Sequence, residues 1–126
     1  MDNPIVLIVD DEPLIATMVQ LTLEDEGFEV HSVMTAAEAA ENIAELDGRL
    51  SVLITDIRLG EGSNGWAVAT AARTRLPLLP VVYMTGDSAS DWTVFGVPKS
   101  VLVQKPFVGA QVLAAVTTVM STVNTP

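Results

Sequence analysis

Four short runs of apolar, mostly β-branched residues are spread along the chain. They cover Ile5 to Val9, Val52 to Ile54, Val81 to Met84 and Val101 to Val103, and a more mixed run covers Phe28 to Val33. The four runs are nearly continuous rather than alternating, which is typical of strands that are covered on both faces. The pattern therefore predicts the strands of a parallel sheet.

Segments with helical periodicity separate these runs. Pro13 to Glu26 carries an apolar stripe and is followed by Gly27, a residue suited to the end of a helix. Thr35 and Glu38 form the pattern of a capping box, which predicts a second helix from there to about Leu46. Three further helices are predicted, the middle one weak, over Trp66 to about Leu76, within Ser88 to Val97, and over Val108 to about Val123.

Strand and helix therefore alternate five times. This order is typical of an α/β fold with a doubly wound sheet and right-handed crossovers. A chain of 126 residues corresponds to one domain, so we expect a single domain over residues 1–126 with no output domain after it. In sheets of this kind, ligands bind beyond the carboxyl ends of the strands. The residues that follow each strand are therefore the candidates for function.

Composition narrows the classes of function. The chain has 16 acidic and 6 basic residues, a formal net charge of -10, 49% hydrophobic residues and no cysteine. The hydrophobic fraction excludes a disordered acidic tail, and the lack of cysteine excludes disulfides and thiolate chemistry. The negative charge argues against nucleic acid or an anionic membrane as a partner. The N-terminal apolar run is too short for a signal peptide or a membrane span, so a cytoplasmic location is expected.

Polar residues whose side chains can bind ions or react follow four of the predicted strands. Asp10 and Asp11 follow the first, Asp56 the third, Thr85 the fourth and Lys105 the fifth. Carboxylates that meet at one edge repel each other, and a hard cation such as Mg²⁺ relieves the repulsion. A divalent ion beside an ammonium and a hydroxyl also suits a phosphoryl group. Helix capping is an alternative for any single Asp, but it does not account for the threonine and the lysine.

These residues lie in motifs that resemble the receiver domain of two-component response regulators. The motifs are, in chain order, Val9 to Pro13, Ile54 to Ile57, Met84 to Gly86 and Gln104 to Phe107. Each motif alone is weak evidence, but the four together are specific, and the likeness extends over essentially the whole chain. The resemblance implies a flavodoxin-like (βα)5 fold with a five-stranded parallel sheet of order 2-1-3-4-5.

The resemblance also implies the role of each acidic residue. Asp56 would accept a phosphoryl group from a histidine kinase or a histidine phosphotransferase, with Mg²⁺ as the cofactor. Asp11, Asp56 and the backbone carbonyl of Arg58 would bind the ion directly, and Asp10 would bind it through a water molecule. The domain would be a phospho-accepting signalling domain and not an enzyme.

The remaining motif residues would read out the phosphoryl group. Lys105 would pair with a phosphoryl oxygen, and its bond to Pro106 would be cis. Thr85 would turn its hydroxyl toward the phosphate and report its presence. The position three residues before the lysine usually carries Tyr or Phe in this family, but here it is Leu102. This residue is either a substituted part of the switch or simply a core residue, and rotation of an aromatic ring is not expected.

Arg58 and Asp87 are predicted to face each other across the site. We hypothesise that they form an ion pair that partly shields an acyl phosphate from water and so sets its lifetime. Because an exposed ion pair adds only about 0 to 1 kcal/mol to stability, the pair should affect the rate of hydrolysis and not the stability of the fold.

Two surfaces carry apolar residues beyond those that a core requires. Leu14, Met18 and Leu21 are spaced i, i+4, i+7, which is the geometry of one helix face offered to another helix. With Pro106 they would form the face that docks on a phosphohistidine-bearing helical bundle, the alternative being a merely apolar helix. The stretch from Pro106 to Pro126 carries no charge, which predicts that a second copy or a domain of the partner kinase covers the fourth helix, the fifth strand and the last helix.

Two aromatic side chains are assigned separately. Trp92, on the weak fourth helix, either anchors that second surface or packs on the core. His31 has no acidic or nucleophilic partner at a useful spacing and is expected to be a plain surface residue.

Two other classes of function are alternatives to the phosphorelay. A degenerate receiver that binds partners constitutively would have lost acceptor residues, which are all present here, although Leu102 favours it. An aspartyl-phosphate hydrolase would need an Asp-x-Asp motif after the first strand, whereas Asp10 and Asp11 are adjacent.

Overall fold

The computed structural model describes residues 3–60, 64–87 and 89–124, without the side chains of residues 122–124. Its strands are β1 (Ile5–Val9), β2 (Glu29–Val33), β3 (Leu50–Asp56), β4 (Val81–Thr85) and β5 (Val101–Gln104). Its α-helices are α1 (Pro13–Asp25), α2 (Ala36–Leu46), α3 (Gly65–Arg75), α4 (Trp92–Phe95) and α5 (Gly109–Asn124). Single 3-10 turns cover Asp47–Arg49 and Ala89–Asp91.

All paired strands are parallel, and their order is β2-β1-β3-β4-β5. The prediction of a doubly wound (βα)5 sheet of order 2-1-3-4-5 is therefore confirmed. The chain first adds β2 on one side of β1, and then adds β3, β4 and β5 in turn on the other side. The point where this order reverses lies between β1 and β3, so the acidic ends of these two strands are adjacent.

Local sequence explains where the first two helices begin and end. Pro13 occupies the first turn of α1, where no backbone N–H is needed, and the helix ends before Gly27, whose φ is 93°. The positive φ lets the backbone close the helix end, which glycine does without strain. At α2, the Thr35 hydroxyl accepts a hydrogen bond from the Glu38 N–H over 3.1 Å, as the capping box predicts.

The two faces of the sheet bury separate apolar layers. Alternate residues of β1 point to opposite faces, so that Leu7 packs with the α2–α3 side and Ile8 with the α1–α5 side. Burial on both sides explains why the strands read as continuous apolar runs. The rigid sheet fixes the strand ends that carry the polar residues.

Helix α5 uses most of its apolar residues for the core. Val112, Val116 and Val119 are fully buried, and Leu113 and Met120 are half-buried against the same layer. The exposed positions among the described side chains carry small or uncharged residues, namely Ala110, Gln111, Ala114, Thr117, Thr118 and Ser121. The expectation that this helix has more apolar residues than the core requires is therefore wrong for the described side chains. The side chain of Val123 is not among them. The helix does lack charged residues.

Two smaller expectations also change. His31 does have a partner, since its ring nitrogen Nε2 lies 2.7 Å from Oε2 of Glu29, two residues back on the same face of the edge strand. The weak fourth helix is short, as predicted, although Ser88 at its expected start lies outside the described residues. Within the described ranges, no helix has the length and apolar character needed to cross a membrane.

Candidate functional site

The polar residues predicted from the strand ends meet in one cavity of about 460 Å³. It opens at the carboxyl edge of the sheet, above β1, β3 and β4. Its walls are formed by Asp11, Glu12, Asp56, Arg58, Gly60, Thr85, Gly86, Asp87 and Lys105. The structure therefore brings together residues from four separate motifs, and Asp10 lies buried beneath them.

Four carboxylates form the acidic side of this cavity. Each of Asp10, Asp11, Glu12 and Asp56 offers an oxygen, and these oxygens all lie within 4.8 Å of one another. The Oδ2 atom of Asp10 is buried and has no hydrogen-bond partner among the described residues. An all-oxygen cluster with an unpaired buried acceptor is chemically suited to a hard divalent cation such as Mg²⁺.

Burial raises the pKa of the two innermost carboxyl groups. The pKa of Asp10 rises to about 7 because of burial, the backbone N–H of Glu12 opposes the rise, and the negative charge of Asp56 adds to it. The pKa of Asp56 is also raised by burial, against the opposing charge of Lys105. Burial thus disfavours the charged forms of these two carboxyl groups, and a nearby cation would favour them.

The ammonium of Lys105 closes the cavity on the side of β5. Its Nζ atom lies 3.2 Å from Oδ2 of Asp56 and 2.6 Å from Oε1 of Glu12. Burial lowers the pKa of this lysine, but the hydrogen bond to Glu12 and the charges of Asp56 and Asp10 outweigh burial, so the pKa is raised. The ammonium is therefore held in its charged form at the Asp56 carboxylate. The bond between Lys105 and Pro106 is cis, as the resemblance implied.

Glu12 is the site residue that sequence reasoning missed. It was included in the first motif, but no role was assigned to it. The available signal was its position as the third consecutive acid after β1, on the turn that leads into α1. Only the fold shows that this turn faces the lysine, which is 93 positions away along the chain.

Thr85 is buried at the end of β4, next to Lys105. Its hydroxyl accepts a hydrogen bond from the Asp87 N–H over 3.2 Å, and its backbone carbonyl accepts one from the Lys105 N–H over 2.7 Å. Leu102 pairs in register with Tyr83 and packs half-buried against the α2–α3 side of the core. This packing favours the core alternative for the leucine.

The predicted contact between Arg58 and Asp87 is present at the rim of the cavity. Nε of Arg58 lies 3.0 Å from Oδ1 of Asp87, and its second nitrogen lies 2.9 Å from Oδ2. The two side chains are 75% and 57% exposed, so the pair adds little to stability. Its two parallel bonds nevertheless bridge the loop after β3 to the loop after β4.

Glycine at position 65 allows α3 to start against the end of β3. Its N–H donates to the carbonyl of Ile57 over 2.8 Å, and Asn64 caps the helix through the N–H of Ala67. A Cβ atom at Gly65 would overlap the backbone carbonyl of Asp56. Close packing of α3 therefore fixes the backbone that carries Asp56.

The predicted partner face is only partly exposed. Leu14 and Leu21 are 88% and 61% exposed, whereas Met18 is half-buried against the α1–α5 side of the core. Met18 therefore offers less surface than Leu14 and Leu21 do, because part of its side chain packs against the core. Instead, Met18 and Pro106 line a groove next to the cavity, together with Glu12, Ile15, Lys105 and Phe107.

Trp92 packs half-buried against the α2–α3 side of the core, and its indole N–H donates to the hydroxyl of Ser100 over 2.9 Å. This contact favours the core alternative over that of a surface anchor.

Comparison with known proteins places the chain in a family. The profile of the response regulator receiver domain matches residues 6–117. A response regulator receiver protein from Sinorhizobium medicae superimposes with a TM-score of 0.90 at 34% identity, over 97% of this chain and 98% of that one. Chemotaxis response regulator CheY4 of Vibrio cholerae superimposes with a TM-score of 0.80 at 25% identity, over 93% and 98% of the two chains.

Curated relatives are longer proteins. The alginate biosynthesis transcriptional regulatory protein AlgB of Pseudomonas aeruginosa is 39% identical over 90 residues, which cover 71% of this chain and 19% of AlgB. The phyllosphere-induced regulator PhyR of Methylorubrum extorquens is 32% identical over 112 residues, 88% of this chain and 41% of PhyR. The chain thus spans about a fifth of the first of these relatives and two fifths of the second.

Proposed function

Because this chain belongs to the response regulator receiver domain family, we propose that it takes part in a two-component phosphorelay, with Asp56 as the phospho-acceptor. The observation that carries the proposal is the position of the Asp56 carboxylate between a carboxylate cluster and the Lys105 ammonium, in a cavity open to solvent. This arrangement offers a nucleophile, a cation site and a counter-charge for a phosphoryl oxygen in one place.

The transfer conserves atoms and charge. A carboxylate oxygen of Asp56 forms a bond to phosphorus, and the bond from phosphorus to the imidazole nitrogen of a phosphohistidine breaks, with its electron pair going to that nitrogen. The product is an acyl phosphate on Asp56 and a free histidine on the donor. Lys105 neutralises one phosphoryl oxygen, which lowers the cost of bringing an anion to an anionic site.

The cofactor of this transfer is Mg²⁺. Asp11, Asp56 and the backbone carbonyl of Arg58 would hold the ion, and Asp10 would act through a water molecule. The bound ion neutralises negative charge on the transferring phosphoryl group. The buried, unpaired Oδ2 atom of Asp10 and the raised pKa of this residue support a cation at this position.

The phosphoryl group is then read by Thr85, whose hydroxyl turns toward it and gives up the Asp87 N–H. The backbone hydrogen bond between the Lys105 N–H and the Thr85 carbonyl links the movement of β4 to β5. Leu102, on β5, would respond by a change in its packing and not by rotation of an aromatic ring. The output is a change in protein contacts and not a chemical reaction on a separate substrate.

The donor is a sensor histidine kinase or a histidine phosphotransferase. Its helices would dock on Leu14, Met18, Leu21 and Pro106, next to the cavity. The exposure of Leu14 and Leu21 and the groove lined by Met18 and Pro106 support this surface. Docking there would bring a phosphohistidine to the open side of Asp56.

A second copy of the chain, or a domain of the partner, would cover the face formed by α4, β5 and α5. Exposed Val94 and Phe95 on α4 and the uncharged outer side of α5 support this contact. Sedimentation velocity with and without beryllofluoride tests it, and self-association is expected with the phosphoryl mimic. A monomer in both conditions, together with no burial of this face by the partner, contradicts the contact.

Beryllofluoride binding tests the acceptor function. The wild-type protein should bind beryllofluoride only when Mg²⁺ is present, as followed by ¹⁹F NMR, because the cation would neutralise the negative charge that the mimic brings to the acidic cavity. Asp56→Asn should not bind it under any condition. A wild-type protein that binds neither Mg²⁺ nor the mimic would leave only a constitutive binding module.

A further inference from the structure

Glu12 lies on the wall that separates the acceptor cavity from the groove beside it. Its carboxylate lines both spaces, and so does the side chain of Lys105. Glu12 is 53% exposed at its side chain, whereas Lys105 is only 17% exposed. The carboxylate can therefore move into solvent more freely than the ammonium can.

The ammonium of Lys105 is shared unequally between two carboxylates. The contact of Nζ with Glu12 is 2.6 Å and that with Asp56 is 3.2 Å. The shorter contact is thus the one with the residue that borders both the cavity and the groove. In the unmodified protein, the lysine is thus bound more closely to Glu12 than to the residue that it must serve.

We propose that Glu12 is a positioning residue that shares the Lys105 ammonium with Asp56, and that this second contact must loosen before Lys105 can bind a phosphoryl oxygen. The inference rests on the proposed function, since it assigns Lys105 to a phosphoryl oxygen. Glu12 itself contacts neither the phosphoryl group nor the donor in this account. It acts through the lysine and through its charge on the acidic cluster.

The two consequences of this charge have opposite signs. The Glu12 carboxylate belongs to the cluster whose oxygens lie within 4.8 Å of one another, so it strengthens the attraction for a divalent cation. The same carboxylate competes with an incoming phosphoryl oxygen for the lysine. Glu12 therefore favours metal binding and opposes phosphoryl binding, and a purely structural residue would not separate these two affinities.

Glu12→Gln separates the two effects in the full chain. Calorimetric titration with Mg²⁺ alone should show an affinity weakened by about threefold to tenfold, the size expected for one charge at short range in a partly solvated site. At saturating Mg²⁺, beryllofluoride affinity measured by ¹⁹F NMR should instead increase by a similar factor. Both changes should shrink at about 1 M salt, where screening is strong.

Glu12→Asp distinguishes the grip on the lysine from the charge alone. Aspartate keeps the charge but is one methylene shorter, so it should retain most of the Mg²⁺ affinity while releasing Lys105. Its beryllofluoride affinity should resemble that of Glu12→Gln. Glu41→Gln, on the exposed side of α2, removes the same charge far from the cavity and should change neither affinity.

The outcomes assign failure to one claim or the other. If Glu12→Gln weakens beryllofluoride binding or leaves it unchanged while the wild type binds the mimic, Glu12 does not restrain the lysine and the inference is wrong. If Glu12→Asp keeps wild-type affinity for the mimic, the contact with Lys105 is not the cause. If the wild type itself fails to bind the mimic with Mg²⁺, the proposed function fails and this inference fails with it.

Discussion

Nζ of Lys105 and Oδ2 of Asp56 lie 3.2 Å apart, although 49 positions separate the two residues along the chain. Each residue stands at the carboxyl end of its own strand, and β4 lies between these strands in the sheet. The contact therefore depends on the pairing of β3, β4 and β5 in the sheet. It sets the charge balance at the Asp56 carboxylate, and the first prediction follows from it.

Replacing Lys105 by Met should affect anion and cation binding in opposite directions. Loss of the ammonium should weaken beryllofluoride binding at saturating Mg²⁺ by at least about tenfold, since a short charge-assisted contact is lost. Mg²⁺ alone should bind more tightly, because the acidic cluster loses its positive neighbour. Titration of each ligand measures this, with Lys99→Met on the exposed loop before β5 as the control. Equal loss of both affinities would point to misfolding and contradict the prediction.

Asp10→Asn should stabilise the metal-free protein. The carboxyl group is fully buried, and its raised pKa shows that the charged form is costly in this position. Removal of that charge should raise the free energy of unfolding by roughly 1 to 3 kcal/mol in urea without Mg²⁺. Added Mg²⁺ should stabilise the wild type more than the variant. A variant that is less stable than the wild type without metal would show that Asp10 is not under electrostatic strain.

Gly65→Ala should destabilise the fold. The added methyl group would overlap the backbone carbonyl of Asp56, so α3 or the end of β3 must shift. We expect a loss of about 1 to 3 kcal/mol in the free energy of unfolding, the usual cost of overpacking. Gly48→Ala is the matched control, because a Cβ there meets no atom within 4 Å. Equal stability of the two variants would mean that α3 adjusts freely beside the acceptor.

Arg58→Ala should shorten the lifetime of the acyl phosphate without much effect on stability. The ion pair with Asp87 spans the rim of the cavity, and its loss opens Asp56 to water. Dephosphorylation after removal of the phosphodonor should become faster, while the free energy of unfolding changes by less than about 1 kcal/mol. Arg75→Ala removes a similar exposed ion pair, with Asp47, at the far end of α3. Equal decay rates for Arg58→Ala and the wild type would contradict the shielding role.

The fold was predictable because the three central strands, β1, β3 and β4, are covered on both faces. Runs such as Ile5 to Val9 are fully buried, so their apolar pattern has few interpretations, and the turns at Gly27 and Thr35 follow local rules. The residues at the carboxyl ends of the strands could also be identified, because they directly follow the apolar runs. The main residues of the cavity were therefore predictable.

Contacts between distant surfaces were not predictable in the same way. Whether Met18 is free depends on how closely the start of α5 packs beside α1, and periodicity within one helix carries no information on that. The role of Glu12 depends on which way a turn faces across the cavity. How many apolar residues of α5 are buried depends on how the helix packs against the core. Each of these relationships is tertiary and can be read only from the three-dimensional structure.

The central claim is that Asp56 is the phospho-acceptor, and covalent labelling tests it most directly. The protein is incubated with acetyl phosphate and Mg²⁺, and the acyl phosphate is reduced with borohydride, which converts a phosphorylated aspartate to homoserine. Peptide mapping by mass spectrometry should find homoserine at position 56, dependent on Mg²⁺, and no modification in Asp56→Asn. Homoserine at another aspartate, or none in the wild type under conditions where Mg²⁺ binds, would contradict the account.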